Sequence, residues 1–327
     1  MRTIRRLTAL ALCFAAALAI SPALAQSAVA QNWPQRTVRL IVPLPPGTGT
    51  DLAARLLAER LTERWGQPVI VENRQGADGI PAVTTFLAAR DTHLLLMSFA
   101  GIISINPLLH EKLPYDPARD LVPIAPVTDN FLGVSVTAGL KADSLADLVR
   151  IAKPQPGKLN WAATPGLPYY ILLALQKSAG IEMTQVSYRD FGPAFQDLSQ
   201  GRLDVAGTGV PALLANHQAG TARLIFVTNR ERSPQVPEVP TAAEAGYPDL
   251  TFEGSVGIFG WRDFPADIRD RIVTDVQAAT KDPAFRARLV TAGTAARPGT
   301  SADFAASVED QRAKIAAVHQ ASTKSKP

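Results

Sequence analysis

The sequence is short of the residues that form disulfides, metal clusters and thiol-based active sites. It contains one cysteine, Cys13, and four histidines that stand far apart, at positions 93, 110, 217 and 319. A single thiol cannot form an intramolecular disulfide, and neither an H-E-x-x-H zinc motif nor a Cys/His cluster is present. We therefore expect no metal, no other cofactor, and a fold held together by its hydrophobic core.

A complete catalytic motif is missing as well. Gly254 to Gly257 read G-S-V-G and fall short of the G-x-S-x-G nucleophile elbow of hydrolases. A serine, a histidine and an aspartate from distant segments could still converge in space, so a secreted hydrolase stays open as an alternative. The pattern favours a protein that is not an enzyme.

The chain also has little excess charge of either sign. It carries 33 basic and 29 acidic residues, a formal net charge of +4. Three of the basic residues are Arg2, Arg5 and Arg6, and without them the balance is 30 to 29. A chain so close to neutral is a poor partner for nucleic acid.

The N-terminal segment has the pattern of a secretory signal peptide. Its arginines precede an apolar run from Leu7 to Ile20 and the small-residue triplet Ala23 to Ala25. We predict a signal peptide over residues 1–25, with cleavage after Ala30 as the alternative, and export to the periplasm. The run is shorter than the about 20 residues of a membrane span, and Leu12 is too bulky to precede a lipid-anchored cysteine.

From residue 37 onwards, short β-branched runs alternate with longer amphipathic stretches. This alternation predicts α/β layers around a mostly parallel sheet. The strand-like runs are Thr37 to Val42, Val69 to Glu72, His93 to Ser98, Leu159 to Ala162, Met183 to Ser187, Leu203 to Ala206, Leu224 to Thr228 and Ser255 to Phe259. Helical periodicity runs over Leu52 to Trp65, Leu145 to Ala152 and Ile268 to Val276.

Local signals predict helix starts and chain crossings. Thr241 with Glu244 makes a capping box, and Asp282 before Pro283 is typical of an N-cap followed by a first-turn proline. The proline-rich segments Pro114 to Pro126 and Pro237 to Pro248 are candidate crossings between two domains.

The loop from Pro43 to Asp51, between the first strand and the first helix, is a candidate anion site. Its glycines let bare amides face a ligand, and the helix N-terminus adds partial positive charge. An ordinary strand-to-helix turn is the alternative. The loop is not a nucleotide motif, because Leu44 and Thr50 break the P-loop pattern and Leu52 breaks the dinucleotide pattern.

A second glycine-rich segment, Gly207 to Ala212, does fit G-x-G-x-x-A after a strand-like run. The acidic residue that a dinucleotide site needs about twenty positions later is missing. We interpret this segment as another strand-to-helix turn whose amides face a cleft.

Several segments together resemble the periplasmic receptors of tripartite tricarboxylate transporters, the TctC or Bug family. The matching residues are Trp33, Pro34, Arg39 to Asp51, Arg55, Gly66, Gln67, Val69, Val71 to Arg74, Ile105 to Pro107, Leu113 to Pro117, Asp120, Asp197, Gly201, Asp204, Arg232 to Pro234, Val236 to Thr241 and Glu244 to Gly246. The resemblance covers nearly the whole exported chain.

The resemblance implies an α/β, two-lobed Venus-flytrap fold of the type II-like class, with two crossovers and the ligand between the lobes. It implies one domain from residues 33–127 plus 252–320, a second from 128–251, and a flexible tail at 321–327. The ligand-binding residues would be Pro46, Gly47, Thr48, Gly49, Thr50, Asp51, Ser98, Phe99, Ala100, Thr164, Pro165, Gly166, Tyr169, Asp190 and Thr208.

The function that the resemblance implies is capture of a small organic carboxylate, a di- or tricarboxylate or an aromatic acid. The partners would be that ligand and the membrane subunits of the transporter, and the receptor would be a monomer. A sensor subunit that reports its liganded state to a membrane signalling protein is the alternative. Within the first loop we expect backbone amides and the hydroxyls of Thr48 and Thr50 to hold the carboxylate, while Asp51 caps local amides or accepts from the ligand or a bridging water.

The chain departs from the family pattern where the ligand is expected. Thr48 stands where a second glycine is usual, and Phe99 where a small or hydroxyl residue is common. The second-domain loop reads Ala163 to Ile171 in place of a Ser- and Gly-rich segment. These changes predict a more apolar pocket, unless Phe99 and the tyrosines pack in the domain cores.

Overall fold

The computed structural model describes residues 33–324. The expected signal peptide, both cleavage positions and Cys13 lie outside the described residues, as do residues 325–327. Within the described range, no helix is long and apolar enough to cross a membrane.

The first of two sheets has six strands in the order β11-β4-β10-β3-β1-β2. These strands are β1 (Val38–Val42), β2 (Val69–Asn73), β3 (Leu94–Phe99), β4 (Leu121–Asn130), β10 (Gly254–Trp261) and β11 (Thr294–Ala296). Strands β2 and β3 flank β1 and run parallel to it, whereas β10 is antiparallel to β3 and β4, and β11 is antiparallel to β4.

The second sheet has five strands in the order β7-β6-β8-β5-β9. They are β5 (Leu132–Thr137), β6 (Asn160–Ala163), β7 (Thr184–Gln185), β8 (Val205–Gly209) and β9 (Ala222–Val227). Strands β6, β7 and β8 are parallel, and β5 is antiparallel to β8 and β9. The expectation of a mostly parallel sheet is therefore wrong, because the strands that carry the chain between the sheets enter each sheet antiparallel to their neighbours.

The helices that cover the sheets are α1 (Gly49–Trp65), α2 (Ile80–Ala89), α3 (Gly101–Ser104), α4 (Asn106–Leu109), α5 (Pro117–Asp120), α6 (Leu145–Ala152), α7 (Leu167–Ala179), α8 (Phe191–Ser199), α9 (Val210–Gln218), α10 (Ala266–Lys281), α11 (Pro283–Thr291) and α12 (Ser301–Lys324). The cap predicted at Asp282 is confirmed, since its carboxylate accepts the Phe285 N–H at 2.8 Å. Each strand-like run of the sequence overlaps an observed strand.

The chain leaves the first sheet at Phe131, between β4 and β5. The crossing predicted within Pro114 to Pro126 is therefore wrong, because Pro123 and Pro126 lie inside β4. The register between β4 and β10 slips at two points, and β11 pairs only with residues 128–130. A strand with bulges and a largely unpaired edge tolerates residues that cannot donate a ladder hydrogen bond. The expected domain boundary after residue 127 falls three residues before the end of this strand.

The chain returns to the first sheet through residues 228–253, which include the proline-rich segment Pro237 to Pro248. The capping-box hydrogen bonds form here, from Thr241 N–H to Glu244 Oε2 (2.8 Å) and from Glu244 N–H to Thr241 Oγ1 (3.1 Å). The predicted helix does not follow, and residues 242–246 form a turn. Gly246, at φ 90°, and the proline two residues later end the helical path.

The two crossings lie side by side and are tied by hydrogen bonds. The Asn229 side chain accepts the Leu132 N–H at 3.3 Å and donates to the Asn130 carbonyl at 3.1 Å. The Thr228 hydroxyl donates to the Phe252 carbonyl at 2.8 Å. The Asn229 hydrogen bonds therefore link the two crossings, and the Thr228 hydrogen bond joins the two ends of the return segment.

The last helix, α12, packs on both hydrophobic cores. Phe304 is fully buried in the core of the first sheet, with its ring 5.0 Å from that of Phe259. Ile315 is fully buried in the core of the second sheet, and His319 Nδ1 lies 3.2 Å from Tyr170 Oη. This helix continues to Lys324, into the expected flexible tail at 321–327, because its alanine-rich sequence favours helix.

Candidate ligand-binding cleft

A cleft of about 710 Å³ lies between the two sheets. Its lining residues come from both sheets and from the crossings: Pro43, Leu44, Pro45, Thr50, Gln75, Gly76, Ala77, Asp78, Gly79, Phe99, Ala100, Gly101, Ile105, Asn106, Leu109, Asn130, Leu132, Thr164, Pro165, Gly166, Leu167, Pro168, Gly209, Gly254, Ser255 and Gln311. This volume is typical of a site for a small organic molecule.

The cleft walls are loops at the carboxyl ends of parallel strands. The first wall comprises the loops after β1, β2 and β3, and the second wall comprises the loops after β6 and β8. Such loops meet at one edge of a parallel sheet and lead into helix N-termini, so open α/β sheets bind ligands there. Gly207 to Ala212 is confirmed as a strand-to-helix turn, from β8 into α9, and its Gly209 lines the cleft.

Asp51 organises the first loop. Its carboxylate is 1% exposed and accepts from Gly47 N–H at 2.9 Å, Arg55 Nε at 3.0 Å and Asn73 Nδ2 at 2.8 Å. Burial alone would raise the pKa of Asp51, but hydrogen bonds from Arg55, Asn73 and Gly47 outweigh burial and lower it. Capping of a local amide, one of the roles expected for Asp51, is therefore what its carboxylate does here.

The two threonines of this loop differ in position. Thr48 is the N-cap of α1, and its hydroxyl donates to Pro45 O at 3.0 Å and accepts from Asp51 N–H at 3.4 Å. Thr50 lines the cleft, and its hydroxyl accepts from Asn130 Nδ2 at 3.3 Å. The Thr48 hydroxyl is thus used as a helix cap and does not line the cleft, and its contact with a carboxylate stays a prediction.

Six of the residues predicted to bind ligand line the cleft: Thr50, Phe99, Ala100, Thr164, Pro165 and Gly166. Nine others do not line it: Pro46, Gly47, Thr48, Gly49, Asp51, Ser98, Tyr169, Asp190 and Thr208. The ligand contacts assigned to all fifteen stay predictions.

Three residues of the second lobe that were predicted to bind ligand do not line the cleft, and the structure shows where they lie instead. Thr208 lies behind the wall, where its hydroxyl accepts from Thr164 Oγ1 at 3.1 Å. Tyr169 packs on Trp161, with ring centroids 5.6 Å apart, and Asp190 is exposed at the N-cap of α8. In the first wall, Ser98 is fully buried, and its hydroxyl has no hydrogen-bond partner among the described residues.

Phe99 and the tyrosines, which could either line the pocket or pack in the domain cores, differ in position. Phe99 lines the cleft while also packing on the first core. Tyr169 and Tyr170 belong to the second core. Among these aromatic residues, Phe99 therefore adds apolar surface to the pocket and the tyrosines do not.

The loop from Gln75 to Gly79 lines the cleft, although we did not predict it as part of the site. Its four residues from Gly76 onwards all have positive φ, at 106°, 42°, 51° and 82°. Asn106 Nδ2 donates to the Asp78 carbonyl at 3.0 Å, and His110 Nε2 lies 2.8 Å from Asp78 Oδ2. The glycines after the second strand were a usable signal, since β2 ends at the same edge as β1.

Four neutral polar side chains of the cleft were also missed: Asn106, Asn130, Ser255 and Gln311. Gln311 is 6% exposed on α12, and its Nε2 donates to Ser104 Oγ at 2.8 Å. The Ser255 hydroxyl donates to Asp129 at 2.9 Å, which ties the cleft floor to the crossing.

Helix N-termini, but no basic side chains, line the cleft within residues 33–324. Asp78 is the only charged residue of its lining within residues 33–324, so no lysine or arginine faces a ligand there. Thr50 in the first turn of α1 lines it, as do residues that begin or precede α2, α7 and α9, and helix N-termini carry partial positive charge. Peptide dipoles are thus the means of stabilising an anion in this cleft.

A family model described as tripartite tricarboxylate transporter family receptor matches residues 53–323. Protein BugT of Bordetella pertussis is 36% identical over 225 residues, which cover 68% of this chain and 69% of BugT.

Two solved structures resemble the fold along most of its length. R. palustris Rpa4515 with adipate has a TM-score of 0.74 and 30% identity, covering 88% of this chain and 98% of that one. MatC from Rhodopseudomonas palustris with bound malate has a TM-score of 0.71 and 28% identity, covering 88% and 100%. These similarities confirm the two-lobed periplasmic-binding-protein fold.

Proposed function

Because the chain belongs to the family of tripartite tricarboxylate transporter receptors, we propose that it captures a small organic carboxylate in the cleft between its sheets. Members of this family are periplasmic solute-binding receptors and not enzymes. The function that follows is stoichiometric binding followed by delivery to the membrane subunits of a transporter.

The observation that carries this proposal is the arrangement of helix N-termini around the cleft. Thr50, the second residue of α1, stands at one wall with its hydroxyl, and the first N–H groups of a helix have no intrahelical acceptor. An anion placed there gains several neutral donors and the helix dipole. The adipate and malate of the two solved relatives are carboxylates of suitable size.

Ligand capture requires that the two lobes close. We propose that each lobe is built around one sheet, and that the crossings at Phe131 and at residues 228–253 form the hinge between them. A ligand held by loops of both walls favours the closed state by its differential affinity for that state. The closed form is then the one that the transporter recognises.

Mass spectrometry of small molecules released by denaturing the purified protein tests this function directly. We expect an organic carboxylate, and a thermal-shift screen of di- and monocarboxylates should find a saturable stabiliser. A ligand at a hundredfold excess over its Kd adds about 2.7 kcal/mol to the free energy of unfolding. A screen in which only sugars or nucleotides stabilise the protein would contradict the proposal.

We further propose that the exported form is a periplasmic monomer produced by cleavage near Ala25. The basic, apolar and small-residue order of residues 1–25 supports this proposal. The intact mass of protein recovered from the periplasm should correspond to a chain that starts at Gln26. A mass that corresponds to a start at Gln31 would shift the cleavage to Ala30.

A further inference from the structure

The two walls of the cleft differ in their supply of hydrogen-bond donors. Helix α1 starts with Gly49 and Thr50, which both have an N–H group. Helices α7 and α9, at the opposite wall, carry Pro168 and Pro211 as their second residues. Proline has no N–H, so each of these helices lacks one of the first-turn donors that would otherwise hold an anion.

Several other polar groups at the second wall are used within the protein. Val210 N–H donates to Phe131 O at 2.8 Å, and Thr164 N–H donates to Gly207 O at 3.1 Å. The Thr164 hydroxyl donates its proton to Thr208 Oγ1 at 3.1 Å.

The surface around these groups is apolar. Leu132, Pro165, Leu167 and Pro168 line the second wall, and Ile105 and Leu109 line the cleft from the segment after β3. The one charged lining residue, Asp78, carries a carboxylate. A second carboxylate on the ligand would therefore lose its hydration against this surface and gain few donors in return.

We propose that the preferred ligand is a monocarboxylate with an apolar alkyl or aryl body. Its single carboxylate binds at the N-terminus of α1, beside Thr50, and its apolar body fills the space against Leu132 and Leu167. The cleft thereby selects against dicarboxylates. This inference rests on the proposed function and narrows the class of carboxylate that the site takes.

Matched ligand pairs test the inference by calorimetry on protein freed of bound ligand by unfolding and refolding. Hexanoate and adipate share a six-carbon chain and differ in a methyl against a carboxylate, and 4-methylbenzoate and terephthalate differ in the same way. We expect the monocarboxylate of at least one pair to bind ~10-fold tighter or more, because the second carboxylate is buried against a surface with few donors.

The outcomes separate the two proposals. Equal or tighter binding of adipate and terephthalate overturns the monocarboxylate inference and leaves the carboxylate receptor intact. Absence of binding by all four acids also overturns the monocarboxylate inference, and the mass spectrum of the released ligand then shows whether the carboxylate receptor itself stands.

A variant that restores a donor isolates the cause of the selectivity. Pro168→Ala supplies an N–H group at the second residue of α7 and should strengthen adipate binding roughly 2- to 10-fold, while hexanoate changes less. Pro283→Ala, at the exposed start of α11 and outside the cleft lining, is the matched control and should change neither. An unchanged preference in Pro168→Ala would overturn the role assigned to this proline.

Discussion

Arg297 Nη1 lies 2.9 Å from both carboxylate oxygens of Asp129, and the same nitrogen donates to Glu253 Oε2. The two acids stand where β4 ends and where the chain re-enters the first sheet. Burial would lower the pKa of Arg297, but attraction to Asp129 and Glu253 outweighs burial and raises it. One guanidinium therefore pairs with two half-buried carboxylates beside the crossings, and burial still holds the pKa of Asp129 above its usual value.

Replacement of Arg297 by methionine should destabilise the protein strongly. Removing one partner of a buried ion pair leaves uncompensated charge and lowers the free energy of unfolding by about 3–5 kcal/mol. Urea unfolding followed by circular dichroism measures this loss. Arg288→Met is the matched control, because Arg288 pairs with Glu59 at the exposed surface and should contribute less than about 1 kcal/mol. Equal losses in the two variants would contradict the role of burial.

The first loop offers a test of ligand binding that is independent of ligand identity. Gly47 has φ 85°, and its N–H donates to Asp51. Gly47→Val should strain the loop by ~1–2 kcal/mol, displace the Asp51 carboxylate and weaken binding of the released ligand at least ~10-fold, as calorimetry would show.

Gly246→Val controls for the strain itself. Gly246 has φ 90° and open space around its Cα, and it lies in the return segment, outside the cleft lining. The variant should lose similar stability and keep wild-type affinity. A Gly47→Val protein with unchanged affinity would mean that the carboxylate binds elsewhere.

Tyr188 should titrate at an unusually high pH. Burial and the hydrogen bond that its hydroxyl donates to Asp197 Oδ2, at 2.7 Å, raise the pKa of Tyr188 to about 12. Because the folded pKa exceeds the unfolded value of 10.0, the stabilising contribution is complete below pH 10 and is lost as the pH rises through 12.

The difference in absorbance at 295 nm between wild type and Tyr188→Phe isolates this titration. Phenolate absorbance assigned to Tyr188 should appear only well above pH 10. Its appearance by pH 10 would show that the hydrogen bond to Asp197 does not hold the proton in solution.

The C-terminal half of α12 should contribute strongly to the free energy of unfolding through its packing on the second core. Ile315→Ala creates a cavity in the second core and should lower the free energy of unfolding by about 2–5 kcal/mol. Ile70→Ala removes the same atoms from a side chain that is 48% exposed and should change stability by roughly 0.5 kcal/mol. Similar losses measured by urea unfolding would argue against the packing of this helix on both cores.

The elements that sequence analysis predicted correctly depend on local chemistry. The strand-to-helix turn after β1 follows from Pro43 to Asp51, and the start of α11 follows from Asp282 and Pro283. Strand β4 was missed because Pro123 and Pro126 suggest a break. Their tolerance depends on a short partner, β11, that lies more than 160 residues away in the chain, which no local pattern reveals.

The same contrast between local sequence signals and long-range packing explains which site residues were predicted. The first loop was found because its glycines directly precede a helix, and Thr50 and Phe99 indeed line the cleft. Gln311 was missed because it reaches the cleft only through the packing of α12, 207 residues from its partner Ser104. A threonine before a helix fits both a cap and a ligand contact, so the sequence could not show that the Thr48 hydroxyl caps α1.

The absence of a basic side chain from the cleft lining in residues 33–324 has a consequence for measurements at different ionic strengths. Mobile ions screen net charges over a Debye length of about 8 Å in physiological salt, whereas hydrogen bonds from amides within a closed cleft act over shorter distances. Salt should therefore change the affinity for an anion little, and the association rate should lack the steep decline of electrostatically steered binding. A receptor of this construction captures its solute equally well in dilute and in saline surroundings.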